Sequence, residues 1–259
     1  MTDRKKTIII TGSSSGLGSA LALQYSSMGN KLFLFGRSKE RLEKISDLCR
    51  KNGAIVNSII ADVTDEKSMR KHIEEIAMHN NVDVVIACAG VSAGTLDGPE
   101  TPQQVNKIFS ININGVLNTV MPIIPHMIQR KSGNIAIVSS MAGFLGLSSA
   151  PSYSASKGAV RLFSEAIGAY LQAHNVYVST VIPGYIKTPM TDVNGFPMPF
   201  MIDANDAAKK IKHGITHNKR VIAFPLFMYL FLKITTLIPS RVVSYINSKL
   251  PGKPAFEKK

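Results

Sequence analysis

The chain has 259 residues, 45% of them hydrophobic, enough to bury the core of one large α/β domain. Its two cysteines, Cys49 and Cys88, lie far apart, which excludes a disulfide framework and the paired spacing of a metal-binding cluster. A net charge of +13 suits anionic partners, but nucleic acid is set aside because no zinc-finger or RNP pattern occurs and Trp is absent, leaving a phosphorylated cofactor, an acidic lipid surface or a solvated basic face.

The N-terminus runs straight into an apolar strand without a signal-peptide pattern, so the expected location is the cytoplasm, free or at a membrane surface. From there, apolar runs at 7–10, 31–35, 54–60, 83–87, 133–139, 176–182 and 220–223 predict strands. Their unbroken apolarity means cover on both faces, as in a parallel sheet. Between them, 17–28, 39–50, 67–79 and 154–174 carry apolar residues at helical spacing. This alternation predicts a Rossmann-like, doubly wound α/β fold, about seven parallel strands with helices on both faces. The apolar stretch 221–238 breaks the rhythm, and Pro225 and Lys233 argue against a membrane span. For 221–250 a buried or dimer-forming helix and an interfacial membrane contact both stay open.

After the first strand, Thr11-Gly12-Ser13-Ser14-Ser15-Gly16-Leu17-Gly18 opens a helix. Glycines permit a tight turn and close backbone approach, and free amides at a helix start can face a pyrophosphate. The second strand ends Phe35-Gly36-Arg37-Ser38, with no carboxylate for the adenosine ribose. Arg37 suits a 2′-phosphate instead, which favours NADP(H) over NAD(H). Tyr153 and Lys157 stand four residues apart on one helix face. The ammonium is expected to lower the phenol from its ordinary pKa near ~10.

The T-G-x-x-x-G-x-G turn, the Tyr153-x-x-x-Lys157 pair, Ser140 thirteen residues before Tyr153, and Asn112 together resemble the short-chain dehydrogenase/reductase family, over about residues 6–223. The resemblance implies that Gly12, Gly16 and Gly18 bind the coenzyme diphosphate, with Ser13, Ser14, Ser15 and Leu17 near the phosphates and ribose. Asp62 and Val63 would contact adenine. Ala89 and Gly90 close the fourth strand beside the coenzyme, and Pro183, Gly184, Ile186 and Thr188 cover the nicotinamide. Tyr153 would exchange the proton, Ser140 polarise the substrate oxygen, Lys157 hold the nicotinamide ribose, and Asn112 keep a water against the lysine. Ser139 is the alternative next to Ser140, and Asn114 and Asn118 are decoys near Asn112. Cys88 reads as a small buried hydrophobe.

The resulting expectation is an NADP(H)-dependent oxidoreductase that interconverts a small-molecule carbonyl and alcohol. Residues 1–223 form the catalytic domain, and 224–259 a helical extension. The Met- and Phe-rich loop 190–203 points to a hydrophobic or lipid-like substrate. The resemblance also implies a homodimer or homotetramer. Two other classes stay open: a catalytically silent dinucleotide-binding regulator, and a membrane-associated scaffold built on the C-terminal segment.

Overall fold

The computed structural model of the chain describes residues 5–235, 237–248 and 251–256. Its first half runs β1 (Thr7–Thr11), α1 (Gly16–Tyr25), β2 (Lys31–Gly36), α2 (Lys39–Lys51), β3 (Ile55–Ile60), α3 (Glu66–His79), β4 (Val82–Ala87), α4 (Pro102–Phe109), α5 (Gly115–Val120) and α6 (Ile124–Arg130). The second half runs β5 (Gly133–Val138), α7 (Pro151–Gln172), β6 (Val176–Pro183), β7 (Ile186–Lys187), α8 (Pro189–Asp192), β8 (Ile202–Asp203), α9 (Ala204–Thr216), β9 (Val221–Phe224), α10 (Leu226–Thr235) and α11 (Ser240–Asn247). Seven strands make one parallel sheet in the order β3-β2-β1-β4-β5-β6-β9, while β7 and β8 pair separately. This is the Rossmann-like, doubly wound architecture expected.

The alternation of strand side chains explains why both faces are apolar. Ile8 and Ile10 pack with Leu21, Tyr25, Leu42 and Ile211 on the layer of α1, α2 and α9. Ile9, between them, packs with Phe35, Met69, Ile73 and Val116 on the opposite layer. Each such residue, fully buried, contributes ~1.5–3 kcal/mol relative to exposure. A strand with one polar face could not occupy the centre of this sheet.

Two helical regions escape the periodicity. Residues 102–130 are helical almost throughout, but Pro122, Pro125 and a π-helical turn at Ser110–Asn114 interrupt the pattern. In α9 the buried stripe includes Ala207, Ala208 and Gly214, too small to register as apolar spacing. Conversely, α1 ends at Tyr25, before residue 28, where Ser26 N–H turns back to Leu23 O and Gly29 follows at φ +81°.

The apolar stretch 221–238 divides. Val221–Phe224 becomes the edge strand β9, with Ile222 opposite Val181. The ten residues of α10 span about 15 Å, half the ~30 Å hydrocarbon thickness of a bilayer.

Candidate active site

Parallel strands deliver their C-terminal ends, and the loops that follow, to one edge of the sheet. There the chain encloses a cavity of about 1390 Å³, bounded by the turn after β1, the ends of β2 to β6, the 185–196 segment and the C-terminal residues 228–256.

At one end lies the glycine turn. Gly12 adopts φ +72°, and a Cβ there would lie 2.8 Å from Ala89 Cα. A Cβ on Gly18 would collide with the Gly12 carbonyl oxygen. The turn therefore sits flush against β4 and folds back on itself. Gly16 faces Thr188, whose Cβ would be 3.3 Å from an added side chain, so the turns after β1 and β6 meet over the cavity. Ser14, Ser15 and Leu17 line the space. Ser13 does not: its hydroxyl donates to Ile10 O at 2.7 Å and its N–H to Phe35 O at 3.0 Å. Its predicted place near the phosphates is corrected, because local backbone bonding turns it into the core.

Arg37 and Arg41 both face the cavity near the glycine turn, with Asp62 and Val63. Arg37 Nη1 stands 3.7 Å from Asp62 Oδ2, an exposed pair worth at most ~1 kcal/mol. Burial pushes the Asp62 carboxyl up, but hydrogen bonds from Thr64 and the Arg37 charge outweigh it and hold it below the usual range. Asn118 is not idle: its amide donates to Val63 O at 2.9 Å. Arg41 was missed by sequence reasoning. Its signal is its position in the first turn of α2, next to the Ser38 cap.

Ser140, Tyr153 and Lys157 converge at the other end, where β5 stops and α7 begins. Ser139 directs its hydroxyl into Lys157 O at 2.7 Å. That leaves Ser140 as the serine beside the phenol. Burial raises the Tyr153 phenol, hydrogen bonding from Ser140 opposes the rise, and Tyr185 adds to it. The expected lowering by Lys157 is corrected. The Lys157 ammonium lies 5.9 Å from the Tyr153 ring centroid and donates to Val138 O at 2.9 Å. Its own burial brings it down to about 8.

Asn112 lies behind this row, fully buried in the π-helical turn. Its Oδ1 accepts from Val91 N–H at 2.8 Å, and its Nδ2 donates to Val91 O at 2.9 Å and Ser156 Oγ at 3.0 Å. Gly90 sits against both Asn112 and Lys157, since a Cβ there would lie 3.3 Å from Asn112 Oδ1 and 3.5 Å from Lys157 Nζ. Cys88 packs against the core as a partly buried apolar group and also reaches the cavity wall. Burial pushes its thiol up to about 12, so it stays protonated.

Pro183, Gly184, Ile186 and Thr188 line the middle of the cavity. Beyond them Met228, Phe231, Leu232, Ile238 and Val243 supply an apolar wall. The strap 251–256 closes it: Gly94 N–H donates to Pro254 O at 2.8 Å, and Leu96 N–H to Lys253 O at 2.9 Å. No local pattern in the sequence announces this docking.

The model of the short chain dehydrogenase family matches residues 6–195. A protein of Myxococcus xanthus named as an uncharacterized oxidoreductase is 33% identical over 237 residues, 91% of this chain and 93% of that one. Among solved structures, a short-chain dehydrogenase from Sphingobium yanoikuyae in complex with NADPH superposes with a TM-score of 0.78 at 22% identity, covering 98% of this chain and 100% of that one. One from Burkholderia phymatum in complex with NAD gives 0.83 at 22% identity, covering 99% and 100%.

Proposed function

The chain belongs to the short-chain dehydrogenase/reductase family of oxidoreductases, and from that premise we propose that it reduces an apolar carbonyl compound, or oxidises the matching alcohol, with NADP(H). The observation that carries this reading is one continuous cavity with a glycine turn at one end and Ser140, Tyr153 and Lys157 at the other. A dinucleotide fits the residues present: Gly12 and Gly18 let the turn pack flush on β4 and on its own backbone, so that Ser14, Ser15, Gly16 and Leu17 at the start of α1 line the space a diphosphate would take.

Arg37 and Arg41, on the adenosine side, supply two guanidinium groups for a 2′-phosphate. Lys157 and the 183–188 turn would hold the nicotinamide end. When bound, the nicotinamide supplies or accepts the hydride. Tyr153 gives its proton to the carbonyl oxygen, and the raised phenol pKa keeps that proton in place at neutral pH. Ser140 donates to the same oxygen as charge develops. Asn112 acts as a positioning residue, tying the loop after β4 to α7 through Val91 and Ser156.

The test follows NADPH consumption against ketones and aldehydes of increasing chain length, with NADH and Arg37→Asp as controls. Turnover that rises with chain length, prefers NADPH, and loses that preference by about tenfold or more in Arg37→Asp is expected. Silence with carbonyls and NADPH, and with alcohols and NADP⁺, would move the reading to a dinucleotide-binding regulator.

The exposed face of α10, with Leu226, Phe227, Leu230 and Ile234, supports a contact with a membrane surface. Flotation with anionic liposomes checks this, and binding unchanged by Leu230→Glu would sink it.

A further inference from the structure

The C-terminal strap brings a second lysine to the reacting phenol. Lys253 lies with its Nζ 5.7 Å from the Tyr153 ring centroid and lines the same cavity. Its backbone is pinned by Leu96 N–H on its carbonyl at 2.9 Å, flanked by Gly94 N–H on Pro254 O and Ala255 N–H on Asp97 Oδ2 at 3.1 Å. A Cβ on Gly94 would lie 2.5 Å from Lys253 Cβ, so the close approach depends on that glycine. The lysine is therefore held, not draped.

Its surroundings are poor in negative charge. Among the described residues, no carboxylate oxygen forms an ion pair with Lys253. Asp97 shares the cavity wall, but its Oδ2 takes the Ala255 N–H. Asp62 stands at the adenosine end beside Arg37. Lys157, the other cation near the phenol, donates to Val138 O. An ammonium drawn out of water costs free energy unless an anion meets it. Burial alone brings Lys253 down to about 8, so near neutrality it is mostly charged.

We propose that Lys253 is a specificity-determining residue that receives a carboxylate of the substrate, making the substrate an oxo acid or hydroxy acid with an apolar chain. This rests on the reading of Tyr153 as the proton donor. The carboxylate and the reacting carbonyl then lie only a few carbon atoms apart, with the chain along Met228, Leu232 and Val243. In the reduction the carbonyl carbon gains a hydride from the coenzyme, its oxygen gains the Tyr153 proton, and the carboxylate is unchanged. Asp97 on the same wall disfavours a dianion such as a phosphate monoester.

The experiment is a calorimetric titration of decanoate and of decanamide into the full chain, with and without NADP⁺, for wild type, Lys253→Met and Lys253→Arg. Wild type is expected to bind decanoate about ten- to a hundredfold more tightly than decanamide, the range for a hydrogen bond to a charged group. Lys253→Met brings decanoate down to the decanamide level, and Lys253→Arg keeps the preference. Thermal melts of both variants confirm that they fold. Equal affinities in wild type, binding of neither probe, or a preference that survives Lys253→Met overturns the proposal. A chain that reduces neutral ketones but shows no such preference overturns this inference alone. One that prefers decanoate through Lys253 but turns nothing over supports the anion site and overturns only the oxidoreductase reading.

Discussion

Two walls of the cavity are made in opposite ways. On one side the chain turns between Gly12 and Gly18, and the contacts that shape it are to neighbouring backbone: Gly12 against Ala89, Gly18 against Gly12. On the other side Lys253 arrives a hundred residues after Tyr153, carried by a strap that hydrogen-bonds to the distant segment 94–97. The first wall is part of the sheet edge and inherits its rigidity. The second rests on a few hydrogen bonds to the 94–97 loop and can be removed without touching the sheet core. Such a division leaves coenzyme binding built into the fold and lets the substrate side vary with the C-terminal segment.

The largest effect should come where the two walls meet. Tyr153→Phe keeps the ring near Lys157 and Lys253 but removes the proton, and turnover should fall about 10²- to 10⁴-fold. NADPH affinity should change little, since the hydroxyl acts on the substrate. Single-turnover assays with parallel NADPH titrations check both, and undiminished turnover would remove Tyr153 from the chemistry.

Next comes damage to the rigid wall alone. In Gly18→Ala the new Cβ meets the Gly12 carbonyl, which is backbone and cannot rotate away. Relaxing such an overpacked contact costs about 1–3 kcal/mol. NADPH affinity is expected to fall by about tenfold or more, with a lower melting temperature. If the affinity holds, the turn does not define the coenzyme site.

The same division explains what was legible in the sequence. Turns and helix faces are local, so Gly12, Gly16, Gly18, Tyr153 and Lys157 could be found by spacing. Apolar runs marked all seven strands, though cover on both faces fails at the sheet edge, where β3 carries Asn57 and Ser58 and leaves Ile55 and Ile60 exposed. What failed depended on where side chains turn after folding. Ser13 bonds inward to Ile10, and the Lys157 ammonium goes to Val138 instead of lowering the phenol. Lys253 was invisible because nothing in Pro251-Gly252-Lys253-Pro254 says which loop the strap will meet.

Removing the strap tests the second wall by itself. A chain stopped after residue 250 keeps the sheet and the glycine turn, so NADPH binding should persist. The KM for a substrate that uses the strap should rise about tenfold, the loss of roughly one charged hydrogen bond. Loss of coenzyme binding in this truncation would erase the distinction between the walls.

The smallest expected effect sharpens the comparison through protons. Lys157 falls from its ordinary 10.5 to about 8 in the folded chain, and Lys253 does the same. Between these values the unfolded chain holds protons that the folded one has released, so stability rises with pH. Below about 8 both states are charged and the full penalty is present. Two cysteines act the other way. Cys49 and Cys88 rise from 9.0 to about 11 and about 12, which erodes stability above pH 9. The lysine effect is therefore clearest from pH 8 to 9, at about 1 kcal/mol for each lysine, or roughly 2–4 °C. It is read as the melting temperature of Lys157→Met minus that of wild type, which cancels the cysteines. That difference should shrink as pH rises through this window in the coenzyme-free protein, and Lys253→Met should show the same trend. If the strap opens readily in solution, Lys253 is already hydrated, and its difference stays flat while that of Lys157 does not.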